Sequence, residues 1–163
     1  MPVSLRLVLD AVLEAFRGQA QKGGIVVERR ISTDGLVLAF PVEVRQILIN
    51  LIANAIQAMP SGGTLRVSLR QVTERMTPGK RPAIRATITD TGVGIPVELR
   101  DKIFQPFFST KEEKGTGLGL WVSQGIVQKF GGTIRFRSTK SRTGFITSFA
   151  VFIPTDATSV SVA

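Results

Sequence analysis

Apolar residues recur at helical spacing in three stretches of the chain. The first stretch is Leu5–Phe16, which Ser4 is placed to cap at its N-terminus and which Gly23-Gly24 ends. A second helix is predicted from Pro41 to about Met59, because proline suits a first helical turn. A third is predicted from about Leu118 to Phe130.

Between these helices, apolar and polar residues alternate as they do in half-buried strands. The predicted strands cover residues 25–31, 36–39, 64–72, 83–90, 133–138 and 145–154. Most strands are followed directly by another strand, so neighbours in sequence should pair, which argues against a parallel Rossmann sheet. We therefore predict an α/β fold: a two-layer α/β sandwich with three helices packed on one face of a mixed, mostly antiparallel sheet.

Length and composition favour one globular domain. The chain has 163 residues, of which 43% are hydrophobic and 20% charged. We expect the domain to cover residues 1–154, with a lid at about 96–114 and a flexible tail at 155–163. The chain contains no cysteine and no histidine. It therefore lacks disulfides, thiolate nucleophiles, histidine-based triads and imidazole metal ligands.

The net charge is +9, from 21 basic and 12 acidic side chains that never form a basic run. Solvated sheet faces and a preference for anionic ligands explain this balance, and a nucleic-acid surface is the alternative. The chain has no apolar run near the ~20 residues that a membrane span needs. It also has no basic leader, so we expect a cytoplasmic protein.

Two amides stand out on the second predicted helix. Asn50 and Asn54 are four residues apart, so they share one face, which Ile47, Leu51 and Ala55 flank. Because a buried amide without a partner costs ~1–3 kcal/mol, something polar must meet them. Either they bond to neighbouring backbone, or their oxygens join phosphate oxygens and water around Mg²⁺.

An aspartate and two glycines follow the strand that ends at residue 90. The segment reads Asp90-Thr-Gly92-Val-Gly94-Ile95. An Asx-turn alone would explain it. Alternatively, the carboxylate accepts from an exocyclic amine such as that of adenine, and the glycines let the backbone approach a flat ring.

A second glycine cluster opens the third predicted helix, as Gly115-Thr116-Gly117-Leu118-Gly119. Free N–H groups at a helix N-terminus favour an anion there, although a flexible loop has the same composition. The segment between the clusters contains IFQPFFSTK and is too apolar for a disordered linker. It is typical of a lid whose aromatic side docks over a ligand.

Taken in order, these motifs identify a family. QILINLIANAIQAM, DTGVGI, IFQPFFSTK and GTGLGL resemble the asparagine, first glycine, phenylalanine and second glycine boxes of the catalytic, ATP-binding domain of sensor histidine kinases. That domain belongs to the GHKL superfamily with gyrase, heat-shock chaperones and MutL-type ATPases. The resemblance covers roughly residues 3–154 and implies a Bergerat-type ATP-binding fold.

The resemblance also implies roles at matching positions. Asn54 should bind Mg²⁺ with Asn50 beside it, and Asp90 should accept from the adenine amine. Lys111 is a candidate lid cation near the terminal phosphate, or else a solvated lysine. The implied nucleotide-binding residues are Asn54, Asp90, Gly92, Gly94, Ile95, Phe104, Gly115, Thr116, Gly117, Leu118, Gly119 and Thr147, the last through a bridging water.

Departures from the family pattern refine this expectation. Hydrolytic relatives carry a glutamate at the position of Asn50, and an amide has no basicity near pH 7, so we expect ATP to be held with little hydrolysis. Gln57 replaces a frequent lysine or arginine, Ile146 a common glycine, and Phe40 a frequent aspartate.

The absent histidine implies a partner. Sensor kinases phosphorylate a histidine on a dimerising helical hairpin that precedes this domain, and this chain begins at about the point where such a hairpin ends. We therefore expect the catalytic domain of a longer kinase, monomeric in isolation and without direct membrane contact. It would donate the ATP γ-phosphoryl group to that histidine for relay to a response regulator. The alternatives are a free-standing serine/threonine kinase of the anti-sigma type and a non-catalytic nucleic-acid-binding module.

Overall fold

A computed structural model describes residues 2–75, 79–108 and 118–156. The helices are α1 (Leu5–Lys22), α2 (Pro41–Gln57) and α3 (Gly119–Lys129), with a short 3₁₀ turn at Val97–Leu99. The strands are β1 (Pro2–Ser4), β2 (Ile25–Ile31), β3 (Leu36–Leu38), β4 (Gly63–Arg75), β5 (Lys80–Asp90), β6 (Thr133–Ser141) and β7 (Gly144–Pro154).

The helix ends follow the predicted signals. Ser4 caps α1, since its Oγ accepts from the N–H of Leu7 at 3.3 Å. The N–H of Gly23 closes the other end by donating to the carbonyl of Gln19 at 3.0 Å. Pro41 occupies the first turn of α2. These signals therefore mark both ends of α1 and the start of α2, as expected.

A five-stranded mixed sheet runs in the order β2-β4-β5-β7-β6. β2 and β4 are parallel, whereas the other three pairs are antiparallel. β1 and β3 form a separate antiparallel pair. The predicted two-layer α/β class is confirmed. The β4–β5 hairpin is longer than predicted, because its arginine-rich outer ends carry little apolar signal, and β1 was not predicted.

The alternation along each strand separates two faces of this sheet. Odd-numbered residues of β4, such as Leu65, Val67 and Leu69, are buried on the face that α1, α2 and α3 cover. Even-numbered residues of β4, such as Arg66 and Arg70, lie on the opposite, open face. Within the described ranges, no helix is long and apolar enough to cross a lipid bilayer.

The first two residues of the expected tail are bound to the sheet. The N–H of Thr155 donates to the carbonyl of Pro82 at 3.0 Å, and Asp156 forms a two-point ion pair with Arg81. The hydrogen bonds to Asp156 raise the pKa of the Arg81 guanidinium, although burial opposes this shift. Residues 157–163 lie outside the described part of the chain.

Candidate functional site

A row of polar side chains crosses one end of the helix-covered face. Asp90 on β5 lies opposite Thr147 on β7, which in turn lies opposite Ser138 on β6. The three residues are only 3%, 2% and 3% exposed. The next row on the same face, two residues further along each strand, consists of the apolar residues Ile88, Phe149 and Phe136. The polar row thus lies where the apolar core ends.

Hydrogen bonds fix the side chains of this row. The hydroxyls of Ser138 and Thr147 are 2.8 Å apart, and the Ser138 Oγ also accepts from the N–H of Ile95 at 3.0 Å. Asp90 Oδ1 accepts from the N–H of Gly92 at 2.9 Å, which is the Asx-turn that the sequence allowed. A buried carboxylate and a buried hydroxyl are therefore held side by side.

The glycines after Asp90 are required by close packing. The N–H of Val93 donates to the carbonyl of Ala58, just beyond α2, at 2.9 Å. A Cβ on Gly92 would lie 2.0 Å from that same oxygen. Gly94 has φ of 76°, and its Cβ would lie 2.3 Å from Cγ of Phe145. These two glycines allow the loop to contact α2 and β7 directly.

The two asparagines of α2 differ in their contacts. Asn50 Oδ1 accepts from Gln46 Nε2 at 2.8 Å, and its Nδ2 donates to the Gly119 carbonyl at 3.0 Å and to Ser123 Oγ at 3.1 Å. Asn50 therefore ties α2 to the start of α3. Within the described residues, the half-buried Asn54 side chain makes no comparable hydrogen bond.

Helical spacing places Asn54 between the contacts of α2 with Gly119 and with the Gly92 loop. Asn50, Asn54 and Ala58 follow one another at intervals of four residues along one stripe of α2, about 6 Å apart along the axis. Asn50 donates to the carbonyl of Gly119, and the carbonyl of Ala58 accepts from Val93 in the Gly92 loop. The Asn54 amide is thus available at the middle of this stripe.

The described part of the predicted lid, residues 96–108, has a packed part and an exposed part. The Phe104 ring lies 5.9 Å from that of Phe136 and 6.4 Å from that of Phe149, and Ile103 is buried. Phe107 is 76% exposed and has φ of 64°, which is unusual for a residue with a side chain. Phe104 thus packs this segment against the sheet beside the polar row, while Phe107 is exposed to solvent.

Arg100 ties the segment that follows Ile95 to β6. Its Nε donates to the carbonyl of Ile95 at 3.2 Å, and its Nη2 donates to the carbonyl of Ser138 at 2.7 Å. The sequence motifs did not single out Arg100 or Ser138. The β6–β7 register, had it been known, would have placed Ser138 beside Thr147.

Of the remaining predicted site residues, the structure describes Leu118 and Gly119. Leu118 is the N-terminal cap residue of α3 and Gly119 its first residue. A Cβ on Gly119 would make only ordinary contact with Asn50, at 3.6 Å. Lys111, Gly115, Thr116 and Gly117 lie outside the described residues.

Comparison with known proteins decides the family. The sequence profile of the histidine kinase-, DNA gyrase B- and HSP90-like ATPases matches residues 39–157. The chain belongs to this ATPase family. Its buried Asp90 row, Asn54 and both glycine segments fall within the matched residues. The predicted ATP-binding catalytic domain of the histidine kinase type is confirmed.

Two curated relatives of this ATPase domain are kinases. The chain is 32% identical over 149 residues to Sporulation kinase A of Bacillus subtilis, covering 90% of the chain and 23% of the relative. It is 35% identical over 122 residues to the sensor histidine kinase ZraS of Escherichia coli, covering 75% of the chain and 24% of the relative. The chain thus spans about a quarter of the length of each relative.

Solved structures share the whole fold. A mycobacterial sensor histidine kinase, MprB, superimposes with a TM-score of 0.80 at 27% identity, covering 94% of this chain and 97% of that one. The catalytic domain of the histidine kinase ThkA gives a TM-score of 0.79 at 29% identity, covering 95% of both chains. The architecture of this ATPase domain is therefore that of histidine kinase catalytic domains.

The side chains near Asn54 suit a metal ion that is bound together with nucleotide phosphates. Within residues 2–75, 79–108 and 118–156, no three histidine, cysteine, aspartate or glutamate side chains cluster as a metal site would require. The Asn54 oxygen is a hard neutral ligand of the kind that Mg²⁺ accepts when phosphate oxygens and water complete its octahedron. The residues therefore fit Mg²⁺ bound as a nucleotide complex.

Proposed function

We propose that this chain binds Mg·ATP between α2, the loop after β5 and the start of α3, and donates the γ-phosphoryl group to a histidine on another domain. The observation that carries the proposal is the position of Asn54. Its amide makes no hydrogen bond within the described residues and lies between the buried Asp90 row and the N-terminus of α3. A ligand with a flat, amine-bearing base at one end and phosphates at the other fits this arrangement.

Asp90 and Thr147 would hold the base. The buried Asp90 carboxylate is an acceptor for the exocyclic amine of adenine, and Thr147, directly opposite, would hold a bridging water. Gly92, Gly94 and Ile95 would form the adjoining wall, with the Phe104 cluster beside it. Guanine presents a carbonyl at the corresponding position, so the same carboxylate disfavours it.

Asn54 and the second glycine segment would hold the phosphates. Asn54 would contribute one oxygen ligand to Mg²⁺, which neutralises phosphate charge when bound. Backbone amides of Gly115–Gly119 would meet phosphate oxygens at the N-terminus of α3. Lys111 would place a cation near the γ-phosphate. Asn50 would position the start of α3, because its amide donates to the carbonyl of Gly119. An amide cannot serve as a base for hydrolysis.

Phosphoryl transfer then needs an acceptor outside this chain. The bond between the γ-phosphorus and the β,γ-bridging oxygen breaks, ADP leaves, and a bond forms to an imidazole nitrogen. The chain contains no histidine, so the imidazole belongs to a separate dimerisation domain of the full-length kinase. A response regulator would receive the group next. Positioning supplies most of the catalysis in such a transfer.

Nucleotide binding is tested with Asp90→Asn, which keeps the side-chain shape and an oxygen for the Gly92 N–H. Loss of a charge-assisted hydrogen bond, at about 1.5–3 kcal/mol, should weaken ATP binding by roughly 10- to 150-fold in titration calorimetry with Mg²⁺. Asp34→Asn, at an exposed aspartate of the β2–β3 turn, is the matched control. Unchanged ATP affinity in Asp90→Asn would refute the assigned base pocket.

Phosphotransfer is tested in the full-length kinase with γ-labelled ATP. Phosphohistidine is labile to acid and stable to base, whereas phosphoserine behaves in the opposite way. An acid-labile label on the helical hairpin, lost in Asn54→Ala, is expected. An acid-stable label on a separate protein would favour a serine/threonine kinase instead.

A further inference from the structure

The open face of the sheet, opposite the nucleotide site, carries a set of arginines. The register places arginine side chains on all of its strands except β7. They are Arg30 on β2, Arg66 and Arg70 on β4, Arg81 and Arg85 on β5, and Arg135 and Arg137 on β6. None of the described cations on this face is a lysine. We call this set the arginine face.

Three of these arginines already bind carboxylates. Arg66 pairs with Glu28 at 2.9 Å, Arg135 pairs with Glu74, and Arg81 pairs with Asp156. All three carboxylates come from the edges or ends of the same face. The arginine face therefore shows, within one chain, how its side chains engage carboxylates.

Four other arginines have no such partner. Arg30, Arg70, Arg85 and Arg137 form no ion pair or hydrogen bond with any of the described residues. The sequence holds too few acidic residues, 12 against 21 basic, to neutralise them all. These four arginines without an acidic partner all lie on the same face of the sheet.

The centre of the face is unfavourable for the isolated chain. Arg70 and Arg85 lie directly opposite each other on adjacent antiparallel strands, where like charges destabilise a sheet. The Nε of Arg85 is buried and has no hydrogen-bond partner among the described residues. A buried donor without an acceptor costs free energy that an anion placed between the two side chains would recover.

We propose that the arginine face binds an acidic protein surface, whose aspartate and glutamate carboxylates insert between Arg70 and Arg85 and reach Arg30 and Arg137. Guanidinium groups form forked pairs with carboxylates, as Arg81 does with Asp156. The five strands span about 20 Å, which matches one face of a protein partner.

Other features of the face argue against a nucleic acid. Phe152, its central aromatic residue, is buried, and the guanidinium of Arg135 covers its ring at 4.7 Å. No ring on the described face is therefore open for base stacking. Glu28 and Glu74 also lie on this face, paired with Arg66 and Arg135, and they interrupt the continuous positive surface that a phosphate backbone would need. A partner whose carboxylates are spaced individually avoids both problems.

The first test measures binding of a fluorescein-labelled peptide of ten glutamates by anisotropy. Arg70→Gln with Arg85→Gln should weaken binding at least about tenfold, through loss of two charge-assisted contacts. Arg17→Gln with Lys22→Gln removes the same charge from exposed positions of α1 and should change affinity less than about twofold. Equal losses in both double variants would reduce the effect to net charge and overturn the proposal.

Two further measurements sharpen the outcome. The ¹H–¹⁵N signal of Arg85 Nε should shift as the peptide binds, and an unmoved signal would overturn the proposal. Duplex DNA or anionic lipid vesicles that bind more tightly than the peptide through Arg70 and Arg85 would assign the face to phosphate instead. Because Arg85→Gln relieves repulsion, its melting temperature should not fall, which separates lost binding from lost folding.

Discussion

The contact between Gly92 and Ala58 gives a sharp test of how the loop after β5 is held against α2. In Gly92→Ala, the new Cβ would lie 2.0 Å from the Ala58 carbonyl oxygen and 2.6 Å from its carbon. Both obstacles are backbone atoms, so no flexible side chain can move aside. Relief requires the loop to lift away from the end of α2, which breaks the 2.9 Å hydrogen bond from Val93 to Ala58.

The expected cost follows from these two effects. Overpacking costs about 1–3 kcal/mol, and the lost hydrogen bond about 0.5–1.5 kcal/mol. Their sum is about 2–4 kcal/mol of unfolding free energy. In a domain of this size, each kcal/mol shifts the melting temperature by about 2–4 °C. Gly92→Ala should therefore melt about 5–15 °C below the parent, measured by circular dichroism.

A matched glycine supplies the control. Gly18 lies within α1, and a Cβ there would meet nothing within 4 Å. Gly18→Ala should therefore raise the unfolding free energy by about 0.5–1 kcal/mol, because alanine favours the helix. If Gly92→Ala melted within about 1 °C of the parent while Gly18→Ala rose, the close contact with Ala58 would be wrong.

Three other substitutions test the surroundings of the site. Arg100→Gln should accelerate hydrogen exchange at the Ile95 amide by about tenfold, because the hydrogen bonds from Arg100 to the carbonyls of Ile95 and Ser138 are lost. Unchanged exchange would show that Arg100 does not hold this segment against β6. Phe104→Leu should lower the unfolding free energy in urea by about 1–2 kcal/mol through lost ring contacts, and no loss would show that the aromatic cluster contributes nothing. Asp156→Asn should cost about 2–3 kcal/mol in urea, because it removes the charge that faces buried Arg81. The hydrogen bond to Asp156 raises the Arg81 pKa above its ordinary value, so this stabilisation is fully present below that ordinary value and is lost only above it. Titration of Arg81 should therefore leave the unfolding free energy unchanged from about pH 6 to 10.

The sequence patterns were enough to predict the two-layer architecture of this fold. Period-two alternation in β4 and β7 predicted the half-buried strands, and caps such as Ser4 and Gly23 predicted the helix ends. β1 escaped prediction because three residues are too few to show a period. Its pairing with β3 depends on where α1 returns the chain, which is a tertiary effect.

The candidate site was predictable only in part. Motif order pointed to Asp90 and Asn54, but Asn50 and Asn54 carry the same chemistry at equivalent positions of one helix. The family resemblance assigns them different roles, but only tertiary contacts show that Asn50 meets Gly119 and Ser123 from a distant segment. Ser138 was missed for the same reason, because its role depends on the β6–β7 register.

Strand register links the two faces of the sheet. Thr89 and Asp90 are adjacent in β5, yet Asp90 faces the helices beside Thr147 while Thr89 faces the arginines beside Ser148. Hydroxyl pairs at 2.8 Å occur on both sides of this end: Thr147 with Ser138, and Thr89 with Ser148. A slip of one residue between β5 and β7 would break the Thr89–Ser148 pair and turn the Asp90 carboxylate toward the arginine face. The proposed nucleotide pocket and the arginine face therefore depend on one register between β5 and β7, so a substitution that loosens it should impair both proposed binding activities together.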